Sequence, residues 1–291
     1  MQAGRRPLPI PPTPRETHPM QLGIHLPHVG RKANPDSIRR AAIQAETLGF
    51  DDIWVSEHII LPNGAPYPPS PIFYEPVLSL TWAAAFTTRI KLGTTVLVLP
   101  LRHPIPLAKE LATLALLSQG RLILGAGVGW MEAEFRALGA RFHQRGRRMD
   151  EGLAMMKAVW TQDPVTFHPK LIEAEIEDMR MRPLPPPIPI WIGGNSPPAL
   201  ARALKHDGWH GTRQTPEEAK TLVAALRATR PGPDFTISLR TSWDGQDQNA
   251  LKSRLTAYAE AGINHVMVEP TDRELDDWLS SVEKIARAGG L

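Results

Sequence analysis

Three runs decide the fold: Ile90-Lys-Leu-Gly-Thr-Thr-Val-Leu97, Pro106-Leu-Ala-Lys-Glu-Leu-Ala-Thr-Leu-Ala-Leu-Leu117 and Leu122-Ile-Leu-Gly125. The first is apolar enough to be buried on both faces, as strands of a parallel sheet are. The second repeats apolar residues at helical spacing and ends near Gly120. The third is another short apolar strand. Strand, helix and strand in this order predict a βαβ unit.

The same alternation extends in both directions. Toward the N-terminus, Leu22 to Leu26 reads as a strand and Pro35 to Leu48 as a helix. Asn34 is placed to cap that helix, Pro35 suits its first turn and Gly49 ends it. Ile38, Ala41, Ala42, Ala45 and Leu48 form its buried stripe. Asp52 to Val55 is a second strand, and Pro76 to Phe86 a second helix. After the fourth strand comes a helix-rich excursion, with a helix over Met149 to Trp160. Then come strands at Ile188–Ile192, Gly208–His210, Thr236–Leu239 and His265–Val268. Helices over Pro198–Lys205, Pro216–Ala228, Ala250–Ala261 and Leu275–Ala288 follow them in turn. Eight strand–helix pairs over about 270 residues predict a (β/α)8 TIM barrel with an excursion after strand 4. A doubly wound sheet would carry an early glycine-rich turn, and Gly30 stands alone there.

Composition removes several functions. The 291 residues contain no cysteine, which excludes disulfides, thiolate metal sites and thiol nucleophiles. It also fits a reducing, cytoplasmic location. No apolar run of about 18 residues exists, so no membrane span is expected. The net charge is only +3 and the basic residues are scattered, so no nucleic-acid partner is expected. No HExxH occurs, His25-x-x-His28 lacks a placeable third ligand, and no metal is expected. A GxSxG elbow is also missing. Six of the 30 prolines fall within residues 1–19, which reads as a disordered proline-rich tail. That tail is either authentic or lies upstream of a start at Met20. Residues 20–291 are expected to form a single barrel.

In such barrels the site lies at the C-terminal strand ends. That rule selects His25 and His28, Ser56-Glu57-His58, Thr94-Thr95-Val96, Gly127 to Trp130, Gly193-Gly194-Asn195-Ser196 and Gly211-Thr212. Gly193-Gly194-Asn195 leads into a helix, so it reads either as an anion-binding loop or as an ordinary capped turn. Gly125-x-Gly127-x-Gly129 is an incomplete nucleotide motif. It suits either a flat surface beside a planar ring or plain strand-end geometry. Glu57 and His58 share a face only if the strand has ended before them. His58 then either moves protons near neutral pH or positions a loop. Arg102 reads as a phosphate contact or as a buried loop clamp acting through carbonyls. Arg148 with Asp150 and Glu151 reads as an ion pair, and Glu132 and Glu134 as caps or pairs.

Taken in order, six runs resemble the luciferase-like monooxygenase superfamily, and within it the F420-dependent oxidoreductases. They are Leu22-Gly-Ile-His-Leu-Pro27, Leu48 to His58, Ile90 to Pro100, Arg102-His-Pro104, Gly120 to Trp130 and Pro189-Ile-Trp-Ile-Gly-Gly194. The resemblance implies a bacterial-luciferase-like barrel holding coenzyme F420, or alternatively FMN, at its mouth. It implies a non-proline cis peptide at Thr95–Val96 behind the ring. By the same resemblance and by position, His25, Thr95, Val96, Gly127, Gly129, Gly193, Gly194, Asn195 and Gly211 are expected at the cofactor. Glu57 and His58 match an acid–histidine pair, expected to be catalytic. A small-molecule substrate, a separate F420 or flavin reductase and a homodimer are the implied partners. One departure stands out. Sugar-phosphate dehydrogenases of this group carry a glutamate where this chain has Trp130, which argues against that substrate. An FMNH2-dependent monooxygenase and a non-catalytic flavin-binding barrel are the alternatives.

Overall fold

The computed structural model describes residues 20–291, and the expected tail over 1–19 lies outside the described residues. The chain runs β1 (Gln21–His25), α1 (Pro35–Leu48), β2 (Asp52–Val55), α2 (Pro76–Ala84), β3 (Lys91–Thr94), β4 (Leu97–Val98), α3 (Pro104–Leu117) and β5 (Leu122–Gly127). An excursion holds α4 (Glu132–Ala137), α5 (Arg145–Thr161) and the strands β6 (Val165–Phe167) and β7 (Ile176–Met179). The chain then continues with β8 (Ile190–Gly193), α6 (Pro197–Ala203), β9 (Gly208–Thr212), α7 (Pro216–Thr229), β10 (Thr236–Trp243), α8 (Gln248–Glu260), β11 (His265–Pro270) and α9 (Leu275–Gly289).

The sheet order is β3-β2-β1-β11-β10-β9-β8-β5, and β5 pairs back to β3, closing an eight-strand parallel barrel. Helices lie between successive strands, so this is a (β/α)8 TIM barrel. Local chemistry sets the helix ends. Asn34 accepts from the Ser37 amide at 2.9 Å, Pro35 opens α1, and Gly49 closes it at φ 98°. Thr215 and Glu218 form a reciprocal capping box on α7.

Two departures from the sequence reading bear on the site. The expected third strand over Ile90–Leu97 is two pieces: β3 pairs with β2 and β5, while β4 pairs with β5 only. The break falls at Thr95–Val96, whose peptide bond is cis. The excursion also contains the antiparallel β6–β7 hairpin, which sequence reading missed. Its strands are three and four residues long and mostly exposed, too short to show a period.

The apolar core has two parts. A large cluster fills the space between strands and helices. A smaller one, Trp54, Ile123, Trp191 and Met267, packs together separately from it. Glycines make room for neighbouring side chains and backbone. A Cβ on Gly93 would lie 2.4 Å from the Trp54 ring, and one on Gly125 would lie 1.8 Å from the Thr94 carbonyl oxygen. No rotamer relieves a collision with backbone. Gly125→Ala is therefore expected to destabilise the fold toward the upper end of about 1–3 kcal/mol. Gly152 in α5 has only ordinary contacts at 3.8 Å, so Gly152→Ala is expected to stabilise by about 0.5–1 kcal/mol. Urea unfolding midpoints of the two variants check both signs.

Candidate active site

Glu57 and His58 follow β2, which ends at Val55, and take different partners. Glu57 is buried and turned toward β4 and the segment before α3. It accepts from the Val98 amide and from Arg102 Nε at 2.6 Å, with Arg102 Nη2 also bound to it. Arg102 reaches Glu75 as well, at 2.7 Å. Arg102 is thus a loop clamp, but it works through two carboxylates rather than carbonyls. The Glu57–His58 pair expected from the sequence does not form in this structure.

His58 is paired across the barrel mouth instead. Its Nδ1 lies 3.0 Å from Glu134 Oε2, on α4. Glu134 Oε1 accepts from the Ile59 amide at 2.6 Å and the Ile60 amide at 3.2 Å. Burial alone would raise the Glu134 carboxyl, but hydrogen bonds from His58 and the two amides outweigh it and hold it below the ordinary range. A carboxylate there requires His58 to carry its proton on Nδ1. Nε2 is then the acceptor, and it has no protein partner among the described residues. Phe73 packs edge-on to the imidazole at 5.2 Å and Trp130 at 5.9 Å. Tyr67 leans on Trp130, and Arg213 lies over Tyr67 at 5.4 Å. The proline-rich loop, the start of the excursion and the end of β9 therefore meet around one imidazole.

The other expected residues divide by role. His25 is buried, with Nε2 3.2 Å from Ser56 Oγ. His28 is fully buried, its ring nitrogens 3.1 Å from the Leu26 carbonyl and 3.0 Å from the Ser56 amide. Thr95 and Val96 sit at the break between β3 and β4. Gly193, Gly194 and Asn195 are half-buried at the end of β8, and Gly194 has φ 114°. The Asn195 side chain is engaged by the Thr212 backbone, donating to its carbonyl at 2.7 Å and accepting from its amide at 3.3 Å. Asn195 therefore ties the loop to β9, and Gly194 does the same through its backbone, its amide donating to the His210 carbonyl at 3.3 Å and its carbonyl accepting from Trp209 Nε1 at 2.8 Å.

The glycines at the strand ends lie against the protein's own side chains. A Cβ on Gly127 or Gly193 would meet Val96 at 2.3 or 2.6 Å, one on Gly129 would meet Val98 at 2.5 Å, and one on Gly211 would meet Trp209 at 2.2 Å. They admit the protein's own side chains. Arg148 makes no direct bridge to Asp150 or Glu151: Arg148 donates to the Leu171 carbonyl, Asp150 pairs with Arg202, and Glu151 accepts three amides from Lys170 to Ile172. Burial would raise the Glu151 carboxyl, but those amides, helped by the charge of Arg148, hold it below its ordinary range.

Sequence reading missed Arg240 and Glu269. Arg240 Nη2 lies 2.6 Å from Glu269, and Arg240 Nη1 donates to the Thr95 carbonyl at 3.0 Å. Burial would raise the Glu269 carboxyl, yet Arg240 and His25 hold it at about 2. The strand-end rule, continued past strand six, selects both residues.

Comparison with known proteins places the chain. A family model described as luciferase-like monooxygenase matches residues 19–287. The chain belongs to the luciferase-like monooxygenase family, a group of oxidoreductases with flavin-type cofactors. An uncharacterized protein of Mycobacterium tuberculosis is 32% identical over 265 residues, covering 84% of this chain and 91% of its own. The F420-dependent glucose-6-phosphate dehydrogenase of Kineococcus radiotolerans is 30% identical over 253 residues, covering 82% and 73%. An F420-dependent secondary alcohol dehydrogenase, solved with an F420–acetone adduct, superposes with a TM-score of 0.74 at 17% identity. That match covers 92% of this chain and 98% of the other, and at that identity it shows the fold alone.

The buried histidines make stability depend on pH. Burial lowers His28 from 6.5 to about 4, against weaker support from its backbone hydrogen bonds. As pH falls below 6.5 the unfolded chain takes up a proton that the folded chain refuses. Stability is therefore full above pH 6.5 and is lost as pH falls toward 4. His28 alone is expected to remove about 2 kcal/mol between pH 7 and pH 5. Urea unfolding at both pH values checks this, and His28→Asn is expected to shrink the difference.

Proposed function

We propose that this protein is a coenzyme F420-dependent oxidoreductase that moves a hydride between the deazaflavin and a small, mainly apolar alcohol or ketone. The observation that carries the proposal is the unpartnered Nε2 of His58. It is held by the Glu134 carboxylate and bracketed by Phe73 and Trp130 at the barrel mouth.

The mouth suits an anionic, planar cofactor. At Gly194 the backbone bends at φ 114°, which a side chain would resist, and the Gly193–Ser196 backbone is half-open beside Thr212. The Gly194 amide already donates to the His210 carbonyl, so the Asn195 and Ser196 amides would hold the phosphate. The Thr95–Val96 break, with Val96 seated against Gly127 and Gly193, would support the ring. When bound, F420 supplies the hydride-accepting or hydride-donating carbon.

The chain's own residues manage the proton. His58 Nε2 accepts the hydroxyl proton as hydride leaves the substrate carbon, and returns it in the reverse direction. The Glu134 carboxylate stabilises the resulting imidazolium. Trp130, Phe73 and Tyr67 exclude water and favour apolar substituents. An indole at position 130 supplies neither charge nor acceptor for a sugar phosphate, so glucose 6-phosphate is not the proposed substrate.

Two partners complete the proposal. A reductase regenerates the cofactor when the reaction consumes its reduced form. A second copy of the chain covers the exposed Leu78 and Trp82 of α2, Phe86 just beyond it, and Leu117 of α3. Light scattering of the purified protein is expected to give a dimer.

Spectral titration with F420 and with FMN tests the central reading. F420 is expected to bind more tightly, and tight FMN binding without F420 binding would favour a flavin-dependent monooxygenase instead. Binding of neither would overturn the cofactor reading. His58→Ala is expected to lower kcat by about 10²–10⁴ and leave the F420 titration within a few-fold. Glu134→Gln is expected to lower kcat less. Unchanged turnover in His58→Ala removes His58 from the mechanism.

A further inference from the structure

A continuous hydrogen-bonded chain crosses the inside of the barrel from its floor to the site. Asp52 opens β2 and His265 opens β11, both at the N-terminal ends of their strands. His265 Nε2 lies 2.9 Å from Asp52 Oδ1, and His265 Nδ1 lies 2.6 Å from Ser238 Oγ. Ser238 Oγ lies 2.7 Å from His210 Nδ1, and His210 Nε2 lies 2.8 Å from Thr95 Oγ1. Ser238 is the register partner of both His265 and His210, so three adjacent strands bring these side chains together. Asp52, Ser238 and His265 are fully buried, and His210 and Thr95 nearly so.

The direction of this chain follows from counting protons. Asp52 Oδ1 already accepts from Trp54 Nε1 and can only accept from His265. Asp52 Oδ2 has no partner, so no acceptor receives a proton there. A His265 with a single proton carries it on Nε2, and its Nδ1 then accepts from the Ser238 hydroxyl. Ser238 Oγ in turn accepts from His210 Nδ1–H. A neutral His210 then has a bare Nε2, which accepts the Thr95 hydroxyl proton. With one proton on each ring, the two histidines, the serine and the threonine supply four protons for four links. Burial holds His210 well below its ordinary range. The Thr95 amide and carbonyl are occupied by the Val55 carbonyl and Arg240. Only the hydroxyl lone pairs remain.

We propose that His265 holds a single proton and that Thr95 Oγ1 meets the reacting groups as a hydrogen-bond acceptor, held in that polarity by Asp52 acting through His265, Ser238 and His210. The inference rests on the oxidoreductase reading for what Thr95 meets: an N–H of the cofactor ring or an O–H of the substrate. It does not rest on that reading for the direction of the chain. Asp52, His265, Ser238 and His210 are positioning residues.

Nitrogen NMR of ligand-free protein labelled with 15N-histidine reads the tautomers directly. His210 is expected to be protonated on Nδ1 alone and His265 on Nε2 alone. Signals are assigned from Ser238→Ala, which cuts the chain and perturbs these two rings first. His210 protonated on Nε2, or on both nitrogens, would overturn the proposal. Thr95→Val and Thr95→Ser, titrated with F420 and assayed for substrate KM, form the second arm. Thr95→Val is expected to weaken one of the two by about tenfold, and Thr95→Ser to restore it. A loss in F420 affinity assigns the donor to the cofactor, and a loss confined to KM assigns it to the substrate. No change in either overturns the role of Thr95. Failure to bind both F420 and FMN sinks the functional reading, while the tautomers still decide the direction of the chain.

Discussion

The interior of this barrel depends on the packing of one indole. Trp54 is fully buried, and the adjoining strands carry glycine where a side chain would strike it. A Cβ on Gly23 would lie 2.7 Å from its Nε1, and one on Gly93 would lie 2.4 Å from its ring. TIM barrels usually fill this space with layers of branched side chains. Here one rigid aromatic occupies much of it and fixes what surrounds it. Its ring stacks on His210 at 5.1 Å with 6° between the planes, and its Nε1 donates to Asp52. The same residue thus sets the plane of one end of the buried polar chain and the acceptor at the other. A smaller side chain at position 54 would free both.

Much of the fold was legible because the strand–helix alternation is written locally. Helix α1 could be read from Asn34, Pro35 and Gly49, since caps and breakers act within one turn. Strand lengths were less legible. β5, β9 and β10 all run past their apolar stretches into Gly127, Thr212 and Trp243, because ladder bonds to neighbouring strands extend them. The hairpin β6–β7 left no periodic signal. The break at Thr95–Val96 came from family resemblance, and no local pattern in those residues announces it.

The site was legible in location and illegible in pairing. Strand-end logic found His25, His58, Thr95 and the Gly193–Asn195 loop. The acid–histidine pair came from the family resemblance, on the condition that the strand ends before Glu57; β2 does end at Val55, yet the two side chains take different partners. Glu57 went to Arg102, and the partner of His58 is Glu134, 76 residues away. That contact exists only because the excursion folds back over the mouth, which a single sequence does not show. The glycine spacing left its alternatives open for a related reason. Spacing shows that backbone is approached closely, but not by what, and Val96, Val98 and Trp209 are the answer at four of them.

Two histidines in this molecule obey the same rule with opposite consequences. In both, a carboxylate acts at one nitrogen, directly for His58 and through His265 and Ser238 for His210, and the far nitrogen is left as an acceptor. His58 lies at the mouth beside its own carboxylate, so a proton gained on Nε2 makes an imidazolium next to an opposite charge. His210 lies in the interior, where burial and Arg240 add to the cost of a positive charge. Burial without an adjacent counter-charge forbids the cation there. The first arrangement suits a group that takes and returns a proton. The second suits a group that never does, and whose use is to keep the Thr95 hydroxyl pointing one way.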